Sequence, residues 1–408
     1  MTRIDTTAKL HRAPRHVAGW MACVTLLTLA ACAQVPDTVA IKEVPLLVYP
    51  RAPDDPRFIY ERTIRTNQDV DDTEIETSFK DMVTGGNLSK QVIPFRKPYA
   101  IAVHRGRIFV SEPSSRMIKV FDVPEGRYFE IGVTDPGSLL RPIGIDVDAA
   151  GNLYVADAGA KAIEVYDRDG KFLRELAKAK IGEPPMFSRL VSVTVDKAGD
   201  KIYAVDIGGS TSKDEEHRVR VFDARSGAHL FDIGSRGNAP GYFNLPRDLA
   251  IGKDGNLYIV DGGNFRVQVF DPEGKYLRSF GSIGQQGGNM ARPKEIAADA
   301  DGNVYLIDAI FGNFQIFNAE GQLLMHIGVG GNDTPASYQM LSGIAVDEDG
   351  RIYVVDQLHK KVDIFRPAAL TAEDGFLGKK LPKGAKTSTQ APRATLPEKI
   401  EITPEDEP

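Results

Sequence analysis

The sequence has almost no cysteine: Cys23 and Cys32 are the two among 408 residues. Both lie near the N-terminus, so the bulk of the chain has neither a disulfide nor a thiolate metal site. A basic surplus is also missing. The formal net charge is −6, which argues against a general nucleic-acid role, because phosphate binding needs a basic footprint. Histidine is sparse, with His104, His217, His229, His326 and His359 beyond residue 32. A zinc site needs three or four ligands around one ion, and only His217 and His359 fall in loops that can share a face. Neither a Ser-His-Asp arrangement nor a G-x-S-x-G stretch is visible. What remains is ordinary globular composition, 42% apolar and 26% charged.

Against these absences stands one repeated unit. Residues 249–281 read as four short strands: Leu249–Ile251, Leu257–Val260 ending on Asp261, Val267–Phe270 and Tyr276–Phe280. The turns between them use Asp, Asn and Gly, the residues that supply φ > 0 and local side-chain bonds. The second strand and its closing acid recur at Glu112, Asp157, Asp206, Asp261, Asp308 and Asp356. The third strand recurs with an aromatic at Phe121, Tyr166, Phe222, Phe270, Phe317 and Phe365. The period is about fifty residues, in the range of propellers and solenoids. A single four-stranded sheet leaves two apolar faces open, and radial stacking buries both. Six copies therefore predict an all-β, six-bladed β-propeller over residues 56–367.

The stretch 234–246, GSRGNAPGYFNLP, resembles the G-x-x-G-x-x-x-G-x-F-x-x-P lead-in of the NHL-repeat family. That resemblance implies the fold and leaves function open, since the fold hosts many roles. The sixth unit has no fourth strand of its own after Phe365. Residues 57–64, RFIYERTI, resemble the fourth strands and are expected to close the ring, removing sheet edges that would template aggregation. Residues 65–97 form a long connection. Ile75, Phe79, Met82 and Val83 share one helical face within it, and Gly85 can end that helix; a helix packed on the propeller side and a lid over the channel are both open.

At the N-terminus, Arg3, Lys9, Arg12 and Arg15 precede the apolar run Val17–Ala31, too short to span a bilayer comfortably and suited to a signal peptide over residues 1–31. The run ends in Leu29-Ala30-Ala31-Cys32, which resembles a bacterial lipobox and implies lipidation of Cys32. Ala33 rather than Asp after the cysteine points to the outer membrane. Residues 32–55, rich in proline, are read as a tether reaching on the order of 30 Å. Residues 368–408, rich in Pro, Lys, Thr and Glu, are read as a mostly disordered tail.

Asp299-Ala-Asp-Gly-Asn and Asp347-Glu-Asp-Gly-Arg look like calcium loops, but glycine falls at position four rather than six, so hairpin turns are expected. The recurring strand-end acids suit a structural task, accepting backbone N–H groups of a neighbouring turn. The informative positions are departures from the repeat. Aligned first strands place Tyr99, Ile143, Val191, Arg247, Lys294 and Ser342 together, followed by Ala100, Gly144, Ser192, Asp248, Glu295 and Gly343. Charged pairs in blades four and five alone make Tyr99, Arg247, Asp248, Lys294 and Glu295 candidate binding residues. His217, in the long loop 206–219 of blade three, joins them. The alternative is that the charges pair with one another between adjacent blades.

These readings lead to a lipid-anchored binding module of the bacterial envelope. Its expected partners are the membrane, through Cys32, and an envelope protein or small ligand. No nucleic acid, cofactor, metal or catalytic residue is expected. The rival class is a metal-dependent, lactonase-like hydrolase using Asp146, Asp248 and Glu295. The peptide-amidating lyases are NHL-like enzymes with a histidine zinc site, and no matching histidine set is found. A structural spacer is the third class.

Overall fold

A computed structural model of the chain describes residues 46–70, 91–208 and 217–378. The expected signal peptide, Cys32, the stretch 75–83 expected to be helical, the centre of the blade-three loop and residues 379–408 lie outside the described residues. The chain divides into a unit Met1–Leu46 and a unit Leu47–Pro408, and the second holds the propeller.

Among the described residues, five four-stranded antiparallel sheets and one five-stranded sheet form the six blades. Blade one is Ile101–His104, Arg107–Glu112, Met117–Asp122 and Arg127–Ile131. Blade four is Pro246–Ile251, Leu257–Asp261, Arg266–Phe270 and Tyr276–Phe280, close to the strands expected from sequence. In blade six, Leu341–Val346, Ile352–Asp356 and Lys361–Pro367 take Phe58–Ile64 as their fourth strand. Register pairs Ile64 with Val362, Thr63 with Asp363 and Tyr60 with Phe365. The closure read from residues 57–64 is therefore present.

The core is distributed rather than central. Each pair of neighbouring blades buries its own apolar cluster. Ile145, Val155 and Tyr166 of blade two pack on Phe109 and Val120 of blade one, and Ile64, Val362 and Ile364 of blade six pack on Val103 and Ile108 of blade one. That last cluster exists only because the ring is shut. The middle strands are buried on both faces, which is why they read as continuous apolar runs ending in an acid. Turns carry the expected chemistry. Gly274 has φ +87°, and a Cβ there would come within 2.8 Å of Ile233 Cγ1 in the preceding blade. Asp299 accepts N–H bonds from Asp301, Gly302 and Asn303, as a hairpin turn does.

Two boundaries differ from expectation. The tether stops before Leu47, because Val48–Tyr49 adds a fifth strand to blade six outside Phe58–Ile64. Tyr49 meets Phe365 edge-on at 5.9 Å. Nearby Pro45, Pro50 and Pro53 hid this strand, since proline usually signals non-strand. The tail also begins later than residue 368. Leu377 is buried against the blade-six and blade-one cluster, and Arg351 Nη2 donates to Asp374 O at 2.8 Å.

Candidate functional site

The acids that close each second strand build the mouth of the channel. Asp157 accepts the N–H groups of Leu140 and Arg141 ahead of its own blade, and those of Gly159 and Ala160 in the following turn. Asp308 does the same for Ala291 and Arg292, Asp356 for Gln339 and Met340, Glu112 for Arg96 and Lys97, and Asp206 for Arg189. In blade four Asp261 takes Asn244 N–H, while Leu245 N–H goes to His217 Nδ1 at 3.1 Å. A buried ring of carboxylates thus fixes the backbone from which the next residue projects.

What projects is mostly cationic. Lys97, Arg141, Arg189 and Arg292 occupy equivalent positions, and Arg247 stands two places beyond Leu245. All five are exposed, and among the described residues none forms an ion pair. They converge: Arg247 lies within electrostatic reach of Arg189 and Arg292, and Tyr99 within reach of Arg141 and Arg247. Burial, then the neighbouring guanidiniums, hold Arg247 below its ordinary value, partly offset by Tyr99. Burial pushes the Tyr99 hydroxyl up to about 12, with Glu295 adding to the shift. Guanidinium groups crowded together and, among the described residues, without direct ion pairs are suited to an anionic occupant, because their planar forks match carboxylate or phosphate.

Below the mouth the channel turns acidic. Asp146, Asp248 and Glu295 line a cavity of about 130 Å³, with room for several waters. Each carboxylate reaches the inner strand of the following blade. Asp146 accepts from Val195 N–H at 3.0 Å, Asp248 from Ile296 N–H at 3.0 Å, and Glu295 from Ile344 N–H. Asp248 also takes the Ser192 hydroxyl at 2.6 Å. Burial raises all three, Asp248 to about 6, and Asp146 and Asp248 repel each other.

The sign of a pH effect follows. A carboxyl whose folded value is raised binds its proton more tightly when folded, so its contribution to stability is present below the unfolded value near 4 and lost as pH rises through about 6. Asp248→Asn should therefore gain on the wild type by about 1–3 kcal/mol between pH 4 and pH 7. Paired melting curves across that range check it; a constant difference would mean that Asp248 is not strained.

Residues 243–270 match the NHL repeat family. The chain is a six-bladed propeller that carries an NHL repeat in blade four. It is 23% identical over 166 residues to Protein brain tumor of Drosophila melanogaster, a match covering 40% of this chain and 15% of that protein. It is 27% identical over 164 residues to human NHL repeat-containing protein 3, covering 35% and 46% respectively. The chain thus spans less than half the length of these relatives. A gluconolactonase structure from Xanthomonas campestris superposes with a TM-score of 0.51 at 16% identity, covering 66% of this chain and 86% of that one. At that identity the likeness is one of fold.

The propeller brings Tyr99, Arg247, Asp248, Lys294 and Glu295 together at the channel, as their shared strand position implied. The pairing expected between the charges is replaced by another arrangement. Asp248 and Glu295 bind backbone of the following blade, Lys294 Nζ donates to Leu341 O at 2.7 Å, and Arg247 faces solvent. His217 does not belong to the mouth surface. It opens the third strand of blade three, His217–Asp223, is 5% exposed, and Nδ1 sits between Leu245 N–H and Phe243 O. Its proximity in sequence to an acidic loop was misleading; strand register with Ile207 places it inside. The acids of the hydrolase reading are spread over blades two, four and five. Among the described residues no three His, Cys, Asp or Glu side chains group closely enough to hold a metal ion. Sequence reasoning missed Arg141, Arg189 and Arg292, because it compared the residue after the strand-opening position and not the one before.

Proposed function

We propose that this NHL propeller is a lipid-anchored binding module of the bacterial envelope, and that it docks its partner on the channel mouth. The observation that carries the reading is the set of exposed, unpaired cations whose backbone is held by a buried ring of acids. Rigid backbone beneath charged, solvent-facing side chains limits the entropy lost on binding. The anchor rests on Leu29-Ala30-Ala31-Cys32, with Ala33 favouring the outer membrane.

The test is capture from detergent-solubilised envelopes by wild type, by Cys32→Ser and by Arg189→Ala with Arg247→Ala. Exposed charges contribute about 0–1 kcal/mol to folding, whereas an interface arginine can contribute 2 kcal/mol or more to binding. The arginine variant is expected to melt like the wild type and lose the captured partner. Cys32→Ser is expected to remain an uncleaved or unlipidated precursor. Retention of the partner by the arginine variant, or detergent partitioning of Cys32→Ser at the mature mass, would contradict the respective half of the proposal.

A further inference from the structure

The mouth is not uniformly charged. Its arginines, Arg141, Arg189, Arg247 and Arg292, come from blades two to five, and Lys97 is the one cation of the set in blade one. The remaining arc, from blade five through six to blade one, exposes large apolar side chains. Ile310 is 63% exposed and Leu358 50%, each in the turn after its blade's second strand. Met340 occupies the position that holds arginine in blades two, three and five. Tyr99 completes the arc in blade one. Backbone bonds tie these turns to the mouth: Ala309 N–H donates to Arg292 O, and Gln357 N–H to Met340 O. Gln357 Nε2 reaches Pro98 O beside Tyr99. The strand-end carboxylates that seat Arg292 and Met340 also seat the apolar turns. Asp308 takes Ile310 N–H, and Asp356 takes Leu358 N–H.

We infer that the mouth binds an acidic, amphipathic polypeptide segment, with its carboxylates on the arginine arc and its apolar side chains on the Ile310–Met340–Leu358–Tyr99 arc. The inference rests on the mouth being the docking face. Three features favour a polypeptide over other polyanions. Arginine, tyrosine and methionine beside aliphatic side chains is the composition of protein interfaces. A single-stranded nucleic acid would need several stacking platforms, and in the apolar arc only Tyr99 presents a π-face. Asp248, ionised above about pH 6 just below the mouth, repels a dense row of phosphates, while a peptide can space its charges to avoid it.

The experiment measures binding of the full chain in neutral detergent to a labelled synthetic peptide alternating glutamate with leucine. Comparison probes are the glutamine–leucine version, a single-stranded RNA and vesicles containing phosphatidylglycerol. Two variants are used, Arg141→Ala with Arg292→Ala and Ile310→Ser with Leu358→Ser; both replace exposed side chains and should melt like the wild type. The expected result is saturable binding of the acidic peptide, weakened about tenfold or more by either variant, lowered by salt, and absent with the glutamine version. RNA or vesicles bound more tightly than the peptide, or peptide binding that ignores either variant, would overturn the inference. If the peptide fails while the envelope partner is still lost on Arg189→Ala with Arg247→Ala, the mouth remains the docking face and only the partner class is wrong. If that arginine variant keeps the envelope partner, the docking face itself is wrong.

Discussion

Removing residues 47–64 abolishes cooperative melting of the domain and leaves it aggregated, whereas removing residues 379–408 leaves the melting temperature unchanged. The first deletion strips the fourth and fifth strands from blade six. It bares the backbone edge of Lys361–Pro367 and uncovers Val362, Ile364 and Phe365, all fully buried in the closed ring. It also removes Ile64 from the cluster that joins blade six to blade one, and the Thr63 Oγ1 to Asp363 bond at 2.5 Å. Each buried aliphatic or aromatic side chain lost contributes about 1.5–3 kcal/mol. A domain is stable by only about 5–15 kcal/mol, so a few such losses exceed the total. Size-exclusion profiles and calorimetry of the two deletions check this. Equal melting temperatures would show that the ring does not depend on its N-terminal strands.

Arg351→Ala is expected to cost about 3–5 kcal/mol, the cost of leaving a buried charge partner alone, and to lower the melting temperature by on the order of ten degrees. Arg351 is fully buried although it sits in a hairpin turn. Its Nε donates to Glu61 Oε2 at 2.9 Å, Nη1 to Asp349 Oδ2 at 3.2 Å, and Nη2 to Asp374 O at 2.8 Å. One guanidinium therefore clasps the blade-six hairpin, the closing strand and the segment after the last blade. The double change Arg351→Met with Glu61→Leu should be less destabilised than Arg351→Ala, because it removes both charges together. Thermal melts of the two variants decide. A smaller loss in Arg351→Ala than in the double change would show that the ion pair is dispensable.

The fold was legible because its signal repeats. The strand-end acid and the third-strand aromatic each recur in all blades, so an error in one copy is corrected by the others. The closing strand was readable from Phe58-Ile-Tyr-Glu-Arg-Thr-Ile64 because it matched a pattern already known from blades two and four. Features that occur once were harder. Val48–Tyr49 is two residues long and flanked by prolines, and Leu377 is a lone apolar anchor in a stretch of tail-like composition. At the mouth, the unusual pairs Arg247-Asp248 and Lys294-Glu295 drew attention by departing from the repeat. Arg141, Arg189 and Arg292 conform to it, and a residue that conforms stands out only once the carboxylates beneath show which way it faces. His217 illustrates the opposite error. A histidine beside Lys213-Asp-Glu-Glu216 reads as a loop residue, yet its pairing with Ile207 makes it a strand residue filling the bond that Asp261 leaves to Leu245.

The central claim is that the channel mouth is the docking face. Hydrogen exchange of the chain alone and of the chain captured from envelopes tests it most directly. Added protection is expected in the turns around Arg141, Arg189, Arg247, Arg292, Ile310 and Leu358, with the hairpin turns at Asp148, Asp254 and Asp299 on the opposite face exchanging as before. Protection confined to those opposite turns, or to the outer strands, would contradict it.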